Sequence, residues 1–127
     1  MQHRDFGKTG HRVFPLGFGT MNLPGVPLAQ ARAALNYALD NGINYIDTAP
    51  TYRNSEEIIG ECISHRRDEF FLATKVRKRD YVSAQEQIEN SLRLMRTDHI
   101  DLLQIHYVNY EEEYEQIISL MHHISDS

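Results

Sequence analysis

The chain has 127 residues, 41% of them hydrophobic and 24% charged, with 13 Lys+Arg against 18 Asp+Glu for a net charge of −5. These proportions suit one globular domain and exclude a disordered or fibrous chain, and no apolar run approaches the roughly 20 residues of a membrane-spanning helix. An acidic chain without a basic stripe is poorly suited to gripping nucleic acid by its phosphates, and the single Cys62 excludes an internal disulfide and points to a reducing compartment, the cytoplasm.

The chain opens on Met1-Gln2-His3-Arg4-Asp5, without the apolar stretch of a signal peptide. Arg4-Asp5-Phe6 and Arg12-Val13 flank Gly7-Lys8-Thr9-Gly10, which predicts a β-hairpin with a four-residue turn. Short apolar runs then recur at Phe14–Gly19, Ile43–Asp47, Phe70–Lys75 and Ile100–His106, at a spacing of roughly 27–30 residues that suits repeated βα units. Between them lie helical patterns. Leu28 to Asn41 carries Leu28, Ala31, Leu35, Ala38 and Leu39 on one stripe, with Gly42 as a C-terminal stop. Asn54 and Glu57 have capping-box spacing before Ile58, Ile59, Cys62 and Ile63. Ser83 and Glu86 repeat that spacing before Ile88, Leu92 and Met95. A fourth helix is predicted over Glu111 to His122, its glutamates at the positive end and His122-His123 at the negative end. The order is a hairpin followed by four βα units, an α/β fold around a parallel sheet.

Each of the last three strands finishes on a functional group: Asp47, Lys75 and His106. In a parallel sheet with regular crossovers those ends gather on one edge, where α/β folds bind their ligands. Tyr52 lies in the loop just after Asp47. A tyrosine hydroxyl, ordinarily a weak acid with a pKa of about 10, becomes a workable proton donor when an ammonium such as that of Lys75 stabilises the phenolate. Asp47 would neutralise and orient that ammonium, and His106 could hydrogen-bond a substrate oxygen. Taken singly, each residue has a plain structural explanation; as a set they describe a proton-transfer site built around a tyrosine.

Five stretches, Phe6-Gly7-Lys8-Thr9-Gly10, Leu16-Gly17-Phe18-Gly19-Thr20-Met21, Gly42-Ile43-Asn44-Tyr45-Ile46-Asp47-Thr48-Ala49, Ala73-Thr74-Lys75 and Asp101-Leu102-Leu103-Gln104-Ile105-His106, resemble the aldo-keto reductases. The resemblance covers about residues 1–118 and fades over the tail Ser119–Ser127. It implies an eight-stranded (β/α) TIM-type barrel closed at the bottom by the hairpin. It implies NADPH-dependent reduction of aldehydes or ketones, with Asp47, Tyr52, Lys75 and His106 as the catalytic tetrad. It also places Gly19, Thr20, Met21 and Asp47 near the nicotinamide ribose of NADP(H), and a small carbonyl compound as the substrate.

Arg53 stands where many members of that family have glycine, which bears on the substrate loop. Such a barrel takes about 250 residues, so this sequence is expected to supply the N-terminal half of the domain, with the carboxamide and 2′-phosphate contacts lying beyond it. Negligible activity from these residues alone, and self-association through open sheet edges, are the corresponding expectations. The alternatives are a non-catalytic regulatory relative of the same fold and a non-functional truncated product. Gly17-Phe18-Gly19 lacks the third glycine of a dinucleotide fingerprint, position 22 being Asn. His122-His123 do not converge on a metal, since neighbouring helical positions diverge by about 100°. Tyr107 and Asn109, after His106, are further pocket candidates.

Overall fold

The structure is a computed structural model and describes residues 2–126. Strands β1 (Arg4–Asp5) and β2 (Arg12–Val13) pair antiparallel, Arg4 opposite Val13. The loop between them runs from Phe6 to His11, longer than the expected four residues, and closes with the Phe6 N–H donating to the His11 carbonyl at 2.9 Å. The Phe6 ring packs edge-on against Tyr45 and Phe71, with centroids 5.6 and 5.1 Å away. Those two residues begin the second and third parallel strands, so the hairpin covers the N-terminal end of the sheet.

The main sheet has four parallel strands in the order β3 (Phe18–Gly19), β4 (Tyr45–Asp47), β5 (Phe71–Val76) and β6 (Leu102–Ile105). Each pairs with its neighbour in sequence, as successive right-handed βα units require. The first strand is shorter than the apolar run beginning at Phe14. Pro15 has no N–H to donate to a ladder, and the Phe14 N–H instead binds the Asn44 side-chain oxygen at 2.8 Å.

Helix α1 (Leu28–Asp40) buries Ala31, Leu35, Ala38 and Leu39, while Leu28 is left largely exposed. It ends as the sequence predicts. Gly42 sits at φ +90°, its N–H binds the Leu39 carbonyl, and the Ile43 N–H reaches back to the Ala38 carbonyl, a Schellman stop that glycine alone adopts without strain.

Helix α2 (Ser55–Ile63) buries Ile58, Ile59, Cys62 and Ile63 as expected, but the Asn54–Glu57 capping box does not form: Asn54 precedes the helix without a side-chain cap bond. A 3₁₀ segment (Ser64–Glu69) follows. Helix α3 (Tyr81–Met95) starts two residues earlier than Ser83. Its cap is Asp80, whose carboxylate accepts from the Ser83 N–H at 2.9 Å, so Ser83 is the recipient of the cap and not its source. Its most buried positions are Ala84, Ser91 and Met95. Ile88 and Leu92 instead flank a groove of about 420 Å³ shared with Ile100, Leu103 and Ile124. The glutamates predicted to open the fourth helix form a 3₁₀ turn (Glu111–Glu113), and helix α4 runs over Tyr114–Asp126.

The core lies between the sheet and α1, α2 and α3, around Leu35, Ile46, Ile59, Ile63, Leu72 and Met95. Each such side chain contributes about 1.5–3 kcal/mol of burial. Helices α2 and α3 approach closely at Gly60, where a Cβ would stand 2.0 Å from the Leu94 carbonyl oxygen.

Strand alternation divides the residues. Ile46, Leu72 and Val76 belong to the buried clusters under the helices. With the side-chain period of two, Tyr45, Asp47, Phe71, Ala73, Lys75, Leu102, Gln104 and His106 therefore line the opposite, inner face. This is an incomplete (β/α)-barrel arrangement with helices on one side of a curved sheet.

Candidate active site at the strand ends

Asp47 ends β4 on the inner face. Lys75 stands one residue before the end of β5, and its ammonium donates to both Asp47 carboxylate oxygens, at 3.1 and 2.9 Å, and to the Thr48 carbonyl at 2.7 Å. Side-chain exposure is 12% for Lys75 and 32% for Asp47, so the pair is neither fully buried nor freely solvated.

Tyr52 arrives from the turn between β4 and α2. The Tyr52 N–H binds the Ala49 carbonyl at 3.1 Å, and its own carbonyl accepts from the Ser55 N–H at 3.0 Å. The next residue, Arg53, has φ +52°. This reversal brings the Tyr52 ring back over the strand ends, with the Lys75 ammonium 5.0 Å from its centroid.

His106 follows the last residue of β6, and its N–H still donates to the Val76 carbonyl at 2.9 Å, so its backbone is tied to the sheet. Its ring stands perpendicular to Tyr52 at 5.9 Å, 88° between planes, and Nδ1 lies 3.3 Å from the Thr51 hydroxyl. Burial first, then the positive charges of Lys75, Arg77 and Arg79, push the His106 pKa below the ordinary histidine value, with Asp47 opposing. The imidazole is therefore neutral at neutral pH, able to donate from one nitrogen while accepting at the other.

The structure thus brings together all four residues that the sequence singled out. The ribose candidates divide. Gly19 ends β3 with nothing within 4 Å of where a Cβ would be, and Met21 is 60% exposed. Thr20 is fully buried, its hydroxyl donating to the Asp47 carbonyl at 2.9 Å and accepting from Ser55 at 2.6 Å. Thr20 therefore ties the end of β3 to β4 and does not present its hydroxyl to a ligand. Tyr107 stacks on His106, centroids 4.2 Å apart, and Asn109 lies exposed in the same loop. Cys62 is buried, and burial raises its pKa, the state of a packed thiol.

Sequence reasoning missed Thr51, the Thr20–Thr48–Ser55 hydroxyl cluster and Arg79. The hydroxyl cluster links three loop ends, with Ser55 also 3.0 Å from Thr48. Thr20 was marked only as a ribose candidate; hydroxyl side chains such as Thr48, Thr51 and Ser55 carry no periodic signal, so nothing marked their mutual contacts beforehand.

A parallel sheet with helices outside it, and ionisable groups gathered at the carboxyl ends of its strands, is the arrangement of part of a (β/α) barrel, with the candidate site on the face where such barrels bind their ligands. The chain belongs to the aldo/keto reductase family, whose family model matches residues 15–127. The match includes the tail from Ser119 onward, which the sequence reading had placed outside the resemblance.

The chain is 32% identical to the aldo-keto reductase YhdN of Bacillus subtilis, over 100% of this chain and 44% of that protein. It superposes on an aldo-keto reductase from Bacillus halodurans in its holo form with a TM-score of 0.85, at 31% identity, over 99% of this chain and 47% of that one. An aldo/keto reductase from Klebsiella pneumoniae in complex with NADP and acetate gives a TM-score of 0.71 at 29% identity, over 88% and 43%. The chain therefore spans about half or less of the length of these relatives.

Proposed function

We propose that residues 1–127 are the N-terminal half of an NADP(H)-dependent reductase domain that converts aldehydes or ketones to alcohols, and that Asp47, Tyr52, Lys75 and His106 are its proton-transfer group. One observation carries the reading: the Lys75 ammonium, held by Asp47 at 2.9 Å, lies 5.0 Å from the Tyr52 ring centroid, with the His106 ring edge-on beside it.

The cofactor, when bound, supplies the hydride. The open backbone at Gly19 and the exposed Met21 fit a ribose and nicotinamide laid against the end of β3, while Thr20 and Asp47 shape that end from within. The exposed cations Arg77 and Lys78, which directly follow β5 in a chain of net charge −5, favour an anionic ligand at this edge.

In this reading the Tyr52 hydroxyl hands its proton to the carbonyl oxygen. The Lys75 ammonium stabilises the phenolate left behind, and Asp47 holds that ammonium in place. His106 hydrogen-bonds the same oxygen through Nε2, since Nδ1 faces the Thr51 hydroxyl. Cytoplasmic location, and self-association through the outer edges of β3 and β6, are parts of the same proposal. Those edges have no partner strand among the described residues, and unpaired edges favour association.

The test joins residues 1–127 to the remaining half of a full-length relative. The expected result is NADPH-dependent loss of aldehydes that falls by roughly 10²–10⁴ on Tyr52→Phe, with NADPH affinity unchanged. Residues 1–127 alone should show negligible turnover, since positioning both reactants accounts for about 7–11 kcal/mol of a barrier. Near-normal turnover in the Tyr52→Phe chimera would assign the proton to another group. A chimera that binds NADPH and reduces nothing would favour the non-catalytic reading.

A further inference from the structure

Arg79 lies in the loop between β5 and α3, outside every motif that marks the site. Its side chain is 9% exposed. Nη2 donates to the His106 carbonyl at 2.5 Å and to the Tyr107 carbonyl at 3.0 Å, and Nη1 donates to the Arg77 carbonyl at 3.0 Å. One side chain thus fastens the β5–α3 loop to the segment leaving β6.

That segment is held in an unfavourable shape. Tyr107 has φ +55°, a left-handed conformation that aromatic side chains rarely adopt. The turn folds the Tyr107 ring flat onto the His106 ring, 4.2 Å between centroids and 20° between planes. Arg77 covers the Tyr107 ring, its guanidinium carbon 5.6 Å from the centroid. Strained backbone persists where surrounding structure over-determines it, and the Arg79 fork supplies that determination here.

We propose that Arg79 is the positioning residue of the site. By gripping the carbonyls of residues 106 and 107, it holds Tyr107 in its left-handed turn and the His106 imidazole between Tyr107 and Thr51, with Nε2 turned toward the substrate side. The proposal rests on the reading of His106 as a substrate-facing group, but its geometric content does not depend on turnover.

The grip is on main chain and not on the neighbouring acid. Glu113 approaches Nη2 only to 3.6 Å, and Arg79 Nε and Glu113 Oε2 are both buried without a hydrogen-bond partner. An arginine fork suits paired carbonyls in fixed positions, and a lysine does not reproduce it.

The charged and titratable groups around His106 are Asp47 from β4, Tyr52 from the β4–α2 loop, Lys75 from β5, Arg77 and Arg79 from the β5–α3 loop, and Tyr107 and Glu113 from its own loop. Arg79 adds to the positive field that disfavours the imidazolium.

The experiment is NMR of the histidine ring protons in the 127-residue chain, with the His106 signal identified by its loss in His106→Gln. In the unmodified chain, stacking on Tyr107 should shift that signal upfield, and its titration midpoint should lie below that of an ordinary histidine. Arg79→Met should abolish the stacking shift and raise the midpoint. Arg79→Lys keeps the charge but not the fork, so it should lose the stacking shift with a smaller change in midpoint. Glu113→Gln leaves the grip intact, so it should keep the stacking shift and move the midpoint slightly down.

An unchanged His106 signal in Arg79→Met, or in Arg79→Lys should the methionine variant not fold, overturns the proposal. So does a Glu113→Gln spectrum that matches Arg79→Met, because the grip would then run through the acid. Failure of the reductase reading would appear separately, in the turnover of the Tyr52→Phe chimera.

Discussion

The Asp47–Lys75 pair is the energetic centre of the site, and a double-mutant cycle tests whether it acts as a unit. At 2.9 Å the gross attraction is about 6 kcal/mol for an effective dielectric of about 20. Most of that offsets the desolvation of the two charges. Exposed pairs contribute about 0–1 kcal/mol, and breaking fully buried ones costs about 3–5. With side-chain exposures of 12% for Lys75 and 32% for Asp47, an intermediate coupling near 2 kcal/mol is expected. The two single changes should be unequal. Asp47→Asn strands the more buried partner, an ammonium left with the Thr48 carbonyl as its strongest remaining acceptor, and should cost about 2 kcal/mol. Lys75→Met removes the desolvated charge and leaves a carboxylate that water can reach, so it should cost about 1. With a coupling of 2 the double variant should lose only about 1 kcal/mol, making it more stable than Asp47→Asn alone. Urea unfolding at pH 7, followed by far-ultraviolet circular dichroism, reads all four corners. Additive losses, near 3 kcal/mol in the double variant, would refute the reasoning. Lys75 would then be held by something other than Asp47.

Two further outcomes follow from the layer beneath the site. Glu56 is 2% exposed, its carboxylate accepting from the Thr74 hydroxyl at 2.7 Å and the Ser91 hydroxyl at 3.0 Å. Burial raises its pKa above the ordinary 4.5, against those two bonds and the Lys75 charge. The folded state then holds this proton more tightly than the unfolded chain. Its stabilising effect is therefore complete below about pH 4.5 and lost as pH rises through the raised value. Glu56→Gln should remove that decline, and urea midpoints of both proteins between pH 4 and 8 that differ by a constant offset would contradict it. At Gly60, alanine gains about 1 kcal/mol of helix propensity but drives a methyl into the Leu94 carbonyl, and overpacking against backbone costs about 3. The net loss of about 2 kcal/mol should lower the melting temperature by several degrees, and an unchanged melt would mean that α2 and α3 separate more easily than their contact implies.

The order of elements was legible because it rests on patterns that repeat. Apolar runs at regular spacing fix where strands fall, and Gly42 announces the end of α1 by a conformation that few other residues accept. The nearness of Asp47, Lys75 and His106 was legible for a related reason: strand ends share an edge in any parallel sheet, so their proximity, with Tyr52 in the loop just beyond, follows from topology without side-chain detail. Local capping signals did less well. Ser83 and Glu86 have the right spacing for a capping box, but Asp80 lies upstream and supplies the cap, and such three-residue spacings recur often by composition alone. Least legible were the long-range polar contacts. Arg79 meets the carbonyl of His106, and Glu56 meets Ser91. Neither partner is marked by periodicity, since a single hydrogen bond across the fold requires none.

The backbone of the site explains why so much polar scaffolding surrounds it. Among the described residues three non-glycine positions have positive φ: Arg53, Arg96 and Tyr107. Arg96 caps the end of α3, where a left-handed residue is ordinary. The other two directly follow Tyr52 and His106. A strand or loop that simply continued outward would carry both side chains away from the inner face. A left-handed residue immediately afterwards turns the chain aside, leaving the phenol over the Lys75 ammonium and the imidazole beside the phenol. Such conformations cost about 1–2 kcal/mol each, and the compensation is visible nearby. The Ser55 N–H binds the Tyr52 carbonyl on one side, and Arg79 holds the two carbonyls of residues 106 and 107 on the other. A glycine after Tyr52 would relieve the first turn, but it would also free the loop. Arg53 accepts the strain and keeps the turn narrower in its conformational range. The two rings meet at 88° because both turns are held, and the proposed proton transfer, with Tyr52 and His106 on one oxygen, needs both turns kept.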